Sequence, residues 1–106
     1  MAELTVIAKA KAKPGCEKDL ERELMAVMEP THREPGCIRY VLHRSVDDSA
    51  VFTMVERWDS KDSLDLHLAS PHIKALFAKM PMLISSAPEL SIYEIIPAGT
   101  PEKGHL

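Results

Sequence analysis

Met54-Val55-Glu56-Arg57-Trp58-Asp59-Ser60-Lys61-Asp62-Ser63-Leu64-Asp65-Leu66-His67-Leu68-Ala69-Ser70-Pro71-His72-Ile73-Lys74-Ala75-Leu76-Phe77-Ala78-Lys79-Met80 is the segment on which the fold turns. Up to Trp58 the pattern has period two, which predicts a strand over Val51 to Trp58. One face of that strand holds Phe52, Met54, Glu56 and Trp58, the other Val51, Thr53, Val55 and Arg57. Asp59 or Ser60 can cap the helix that follows, whose apolar stripe is Leu64, His67 and Leu68. Ser70-Pro71 opens another helix, because proline is tolerated where the backbone donor has no partner anyway. Ile73, Leu76, Phe77 and Met80 give that helix its buried side.

Upstream, Ile38 to Ser45 alternates as a strand, and Asp47-Asp48-Ser49 predicts a hairpin turn into Val51. Leu4 to Lys11 is a further strand, closed by the turn Lys13-Pro14-Gly15. Glu17 opens a helix with Leu20, Leu24, Val27 and Met28 on one side. Pro30 should kink or end it, and Pro35-Gly36 closes the segment. Downstream, Leu90 to Ile96 is the last strand, ended by Pro97, and residues 98–106 form a polar tail expected to be mobile. The order is β-α-β-β-α-α-β. Merging the two short helices gives the βαββαβ, ferredoxin-like plan of an α+β domain over residues 1–97. The second and third strands are apolar on both faces, while the helices suffice to cover one. A second subunit is the simplest cover for the other.

With 106 residues, 45% of them hydrophobic, the chain is one small domain that leaves much apolar surface uncovered. A net charge of −3 gives no electrostatic case for nucleic acid or an anionic membrane. Met1-Ala2-Glu3-Leu4 has neither the basic nor the apolar stretch of a secretory signal, and no apolar run approaches the roughly 20 residues of a spanning helix. The expected setting is the cytoplasm, with Cys16 and Cys37 as reduced thiols at opposite ends of the first helix.

Each candidate for chemistry has two readings. Glu56 on an apolar strand face loses solvation, which suits an acid–base role; the alternative is a strand-end ion pair with Arg or Lys. His67 on a buried stripe can take a proton from a bound phenol, or can be a core histidine donating to a backbone carbonyl. His72 stands in the first turn of its helix, where the dipole opposes a positive charge; it is a neutral base or donor, or a solvated surface residue. Trp58 and Tyr40 line an aromatic pocket or pack in the core. His67 and His72 are five apart across a helix boundary, unlike a helical zinc pair, and no His/Cys/Asp cluster has metal-ligand spacing. No metal site is therefore expected. Phosphate-binding loops, dinucleotide fingerprints and nucleophile elbows are absent from the sequence.

The order and spacing of Val6-Ile7-Ala8, Lys13-Pro14-Gly15, Glu34-Pro35-Gly36-Cys37-Ile38-Arg39-Tyr40, Glu56-Arg57-Trp58 and His67-Leu68-Ala69-Ser70-Pro71-His72 resemble the antibiotic biosynthesis monooxygenase domain, over about residues 4 to 96. The resemblance implies a dimeric α+β barrel, in which two ferredoxin-like sheets close face to face, with a pocket in each subunit between helices and sheet. The quinol-oxidising type implies oxidation of phenols by molecular oxygen with no flavin, haem or metal. Its Glu-x-Trp and His-x-x-x-x-Pro-His match Glu56, Trp58, His67, Pro71 and His72. The haem-degrading branch uses an asparagine and a histidine where this chain has Ala8 and Phe77, so haem is set aside.

These readings converge on a cofactor-independent, homodimeric monooxygenase of a quinol-like or polyphenolic substrate. Glu56, His67 and His72 are the expected catalytic residues. Trp58, Tyr40, Met54 and Phe77 are the expected substrate contacts. Two rivals use the same residues differently: an isomerase or other proton-transfer enzyme acting on a small carbonyl compound, and a dimer that binds a small ligand without turning it over.

Overall fold

The structure, a computed structural model, describes residues 3–106; the first two residues of the expected 1–97 unit lie outside it. Four strands, β1 (Leu4–Lys11), β2 (Cys37–Arg44), β3 (Val51–Trp58) and β4 (Glu89–Glu94), form one antiparallel sheet in the order β2-β3-β1-β4. Four helices accompany it: α1 (Glu17–Ala26), α2 (Met28–His32), α3 (Lys61–Leu68) and α4 (Pro71–Lys79). This is the α+β, ferredoxin-like fold. Register aligns Ile7 with Val55 and Val55 with Val41, so the two central strands present matched faces.

One face is the core. Val6, Phe52, Met54 and Trp58 are buried there against Leu20, Leu24, Leu64, Ile73 and Leu76 of the helices. The other face shows Ile7, Val55 and Val41 in a row, and Val41 is 43% and Tyr93 52% exposed. Arg57 on this face is buried beneath Glu3 and the carbonyl of Leu106, both of which it hydrogen-bonds. The tail thus returns to the open face of the sheet.

The helical break that Pro30 was expected to cause falls at Val27, which separates α1 from α2. The physical reason is local: proline lacks the N–H that would bond the carbonyl four residues back, at Ala26, and its ring crowds that carbonyl. Helix α3 starts as expected on Ser60, whose hydroxyl accepts from the Ser63 N–H at 3.2 Å. Ser70 begins α4 differently. Its hydroxyl donates at 2.6 Å to the His67 carbonyl, which also accepts from the Ser70 N–H at 3.0 Å. That bond ties the corner between the two helices.

Three details depart from the sequence pattern. Phe77, expected on the buried side of α4, is 45% exposed, because Ile73, Leu76 and Met80 already fill the inward stripe. A short 3-10 turn, Met80–Met82, follows α4 and leads to a lone bridge between Ala12 and Ile84. Strand β4 ends at Glu94, short of Ile96.

Candidate active site

A cavity of about 170 Å³ lies between the core face of the sheet and the helices. Strands supply Ala8, Ala10, Tyr40, Phe52, Met54 and Glu56 to its wall; α3 and α4 supply His67, Leu68, Ile73, Leu76 and Phe77. Of the residues expected to form a site, five meet here: Tyr40, Met54, Glu56, His67 and Phe77. Trp58 and His72 are not on the lining. Trp58 is fully buried behind it, and His72 lies on the far side of His67, with ring centroids 6.1 Å apart.

Trp58 shapes the site from that second position. Its indole N–H donates to Glu56 Oε1 at 2.9 Å, while its ring lies against the His67 imidazole at 4.5 Å. Tyr40 presents an edge to the same imidazole at 5.3 Å. Glu56 is thus held on the buried strand face by an indole; among the described residues no Arg or Lys pairs with it. Burial pushes its carboxyl up to about 7, the charge of Glu34 adds to this, and the Trp58 bond opposes it. Burial, with the Glu56 charge beside it, also pushes the Tyr40 phenol well above its ordinary range, so Tyr40 is a neutral hydroxyl.

The partner of His67 is Glu34, a residue not among those expected to form the site. His67 Nδ1 lies 2.9 Å from Glu34 Oε2, and His72 Nε2 lies 2.8 Å from the same oxygen. An ionised carboxylate only accepts, so each facing nitrogen bears the hydrogen and both tautomers are set. Nε2 of His67 is then an acceptor with no bonding partner among the described residues, on a side chain that lines the cavity. Burial holds this imidazole below its ordinary range, although the Glu34 carboxylate pulls the other way. At neutral pH it is a free base.

Glu34 reaches His67 because the turn behind it can approach α3. The carbonyl of Gly36 accepts from the Asp59 N–H at 3.0 Å. A Cβ at Gly36 would stand 2.1 Å from Ser63 Oγ, so any other residue would push the turn away. Glu34 precedes His67 by 33 residues, and no local spacing connects them. The sequence signals were the Pro35-Gly36 pair that follows it and its place at the head of the Glu34-to-Tyr40 stretch that carries the family resemblance. Cys37 lies near this turn; burial, then the charges of Glu34 and Glu56, push its thiol up to about 11. Both cysteines are free and half-buried.

A ferredoxin-like sheet with helices on one face, and an imidazole held by a carboxylate at the wall of an apolar cavity, define a small α+β protein with a pocket between sheet and helices. Residues 3–79 match the model of the antibiotic biosynthesis monooxygenase family, and the chain belongs to that family. The chain is 36% identical to "Putative monooxygenase Rv0793" of Mycobacterium tuberculosis over 69 residues, 65% of this chain and 67% of that one. It is 28% identical over 92 residues to the protein sll1783 of Synechocystis, covering 87% of this chain but 63% of that longer relative. Among solved structures, PA3566 from Pseudomonas aeruginosa superposes with a TM-score of 0.87 at 31% identity, covering 92% of this chain and 97% of that one. The structure of Rv0793 superposes with a TM-score of 0.85 at 28% identity, covering 94% and 99%.

Proposed function

We propose that this family member oxidises a small quinol-like or polyphenolic compound with molecular oxygen, without a cofactor, and does so as a homodimer. The observation that carries the reading is His67, a cavity-lining residue with Nδ1–H fixed on Glu34 and Nε2 without a hydrogen-bond partner among the described residues. A phenol in the cavity gives its proton to Nε2, and Glu34 stabilises the imidazolium that forms. The electron-rich phenolate then passes one electron to oxygen. The two radicals recombine at a ring carbon bearing hydrogen, giving a hydroperoxide. Loss of water leaves a ring carbonyl, so one oxygen atom stays on the product and the other leaves as water. The apolar lining from Phe52, Met54, Ile73 and Leu76 keeps bulk water from the radical pair. Glu56, titrating near 7, accepts from or donates to a substrate hydroxyl. The cavity is smaller than the roughly 300–1,000 Å³ of sites for drug-sized ligands, which favours one- or two-ring phenols.

The same reading places a second copy on the open sheet face, where Ile7, Val41 and Val55 form the apolar row. An obligate contact of this kind typically buries about 2,000 Å² or more. Sedimentation equilibrium at micromolar concentration should give two chain masses; one chain mass removes the homodimer. The function is tested with an oxygen electrode and a panel of quinols and naphthols, corrected for spontaneous oxidation. Enzyme-dependent oxygen uptake with a ring-oxygenated product supports the reading. Proton exchange or isomerisation of a carbonyl compound without oxygen uptake, or binding without turnover, overturns it.

A further inference from the structure

We propose that Glu34, His67 and His72 form a binding site for a divalent first-row transition ion, represented by zinc(II), and that filling it switches the base off. The first half stands on the cluster alone; the second rests on His67 Nε2 being the base.

Three observations carry the site. First, the donors are already gathered. One ligand atom from each residue lies within 4.8 Å of the other two, with N···O separations of 2.9 and 2.8 Å to a single carboxylate oxygen. Zinc–ligand bonds of about 2.0–2.2 Å in a tetrahedral site put neighbouring donor atoms about 3.4 Å apart. Each imidazole therefore needs to move about half an ångström away from the carboxylate oxygen, while the two ring nitrogens, within 4.8 Å of each other, swing together toward the same spacing. Second, the donor set is selective. Two imidazoles and one carboxylate suit zinc and its neighbours, whereas calcium and magnesium demand oxygen. Third, the charge asks for a cation. Among the described residues Glu34 pairs only with these two histidines and with no Arg or Lys, so the cluster with neutral imidazoles holds one net negative charge. The supports are rigid: the Ser70 bond to the His67 carbonyl fixes the corner, and the Gly36–Asp59 bond fixes the turn. His72 is 21% exposed and gives the ion a way in from solvent.

The consequence for His67 follows from its two nitrogens. Coordination through Nδ1 needs that nitrogen bare, so its hydrogen moves to Nε2 and no proton is released in net. Nε2 becomes a donor and has no lone pair for a phenolic proton. Metal occupancy and base catalysis are then mutually exclusive.

The test is a zinc sulfate titration of the full chain, stripped beforehand with chelator, in competition with a chromophoric chelator. One zinc per chain is expected. His72→Ala and Glu34→Gln should weaken it by at least about a hundredfold, more than loss of an outer partner of a metal ligand costs. Zinc should also raise the melting temperature of the wild type and not of these variants, which shows at the same time that they fold. No stoichiometric binding at micromolar zinc, or equal affinity in all three proteins, overturns the site. Zinc should abolish phenol-dependent oxygen uptake with the same midpoint, and chelator should restore it. Stoichiometric zinc with undiminished turnover overturns the switch. Failure of the metal-free protein to turn over any phenol is a failure of the proposed oxidation, and leaves the zinc titration to judge the site by itself.

Discussion

The cavity has two walls: the strand wall presents a carboxylate of its own, and a second carboxylate, in a different condition, stands behind the helical wall. On the strand wall, Glu56 sits on a buried face of β3 with a single indole donor, and burial lifts its carboxyl to about 7. Behind the helical wall, Glu34 comes from the turn before β2 and meets two imidazoles at the edge of solvent. A carboxylate with little stabilisation of its charge titrates near neutrality and can exchange a proton. A carboxylate with two N–H donors does better as a fixed anion that orients its partners. In the proposed mechanism Glu34 holds the base and Glu56 meets the substrate, a division of labour that this difference supports.

The sharpest way to break this comparison is to remove the proposed base, His67, from the helical wall. His67→Ala should lower turnover of a phenolic substrate at least about a hundredfold, since a positioned base is typically worth about 10² to 10⁴. Steady-state oxygen uptake measures it, with circular dichroism to confirm the fold. A rate near that of the wild type removes His67 as the base.

The strand wall is tested through stability. Glu56 keeps its proton in the folded state to about 7, against an ordinary 4.5. The folded state therefore binds more protons between these values, and stability falls as pH rises through that window. Below 4.5 both states are protonated and nothing is lost. Each pH unit is worth about 1.4 kcal/mol, so the fall amounts to about 3 kcal/mol. Glu34, Tyr40 and Cys37 share this charged neighbourhood and stay in place in both proteins. Denaturant unfolding of wild type and Glu56→Gln at pH 5 and pH 8 isolates the contribution. Glu56→Gln should gain on the wild type at pH 8 by about that amount, and parallel pH profiles would show that Glu56 is not buried in its charged form.

The two walls were not equally legible in the sequence. The strand wall follows from period-two alternation, which put Phe52, Met54, Glu56 and Trp58 on one face, and the register bears that face out as the buried one. What alternation cannot give is which way a polar atom points. Trp58 sits behind the wall because its N–H has a buried partner in Glu56 only there. The helical wall was legible in its elements but not in its partners. Helical spacing found His67, and Ser70-Pro71 found the corner. The carboxylate that sets the tautomer comes from a turn 33 residues earlier, by a close approach that a glycine permits and no periodicity records. The same distance along the chain hid the Glu34–His67–His72 cluster from a search for metal-ligand spacing. Phe77 was misplaced because helical periodicity defines a stripe, not how wide a stripe the sheet can cover.

Glu34→Gln tests the helical wall more gently. The shape remains and the charge goes, so His67 loses the anion that fixes its tautomer. The expected loss is about tenfold to a hundredfold in kcat, the 1.5–3 kcal/mol typical of a hydrogen bond to a charged group. A positioning role should spare KM and move the pH profile, because the imidazolium is no longer favoured by a neighbouring anion. Glu34→Asp should recover part of the rate. If KM rises while kcat and the pH profile stay put, Glu34 contacts substrate and the division between the walls is wrong.

The smallest effect lies at the outer rim of the helical wall. Phe77 lines the cavity yet is nearly half exposed, whereas Phe52 on the strand wall is almost wholly buried. Truncating a buried aromatic typically costs about 3–5 kcal/mol of stability, while exposed positions stay within about 0.5 kcal/mol. Phe77→Ala should therefore leave the melting temperature near that of the wild type. Its ring can still pack on a bound aromatic, an interaction worth about 0.5–1.5 kcal/mol beyond area, which predicts a rise in KM of about twofold to tenfold with kcat preserved. Kinetics over a range of substrate sizes would sharpen this, since a two-ring phenol reaches the rim more readily than a single ring. An unchanged KM for every phenol would confine binding to the inner walls. A drop in kcat alone would mean that the rim controls access of oxygen or release of product, and not the grip on the substrate.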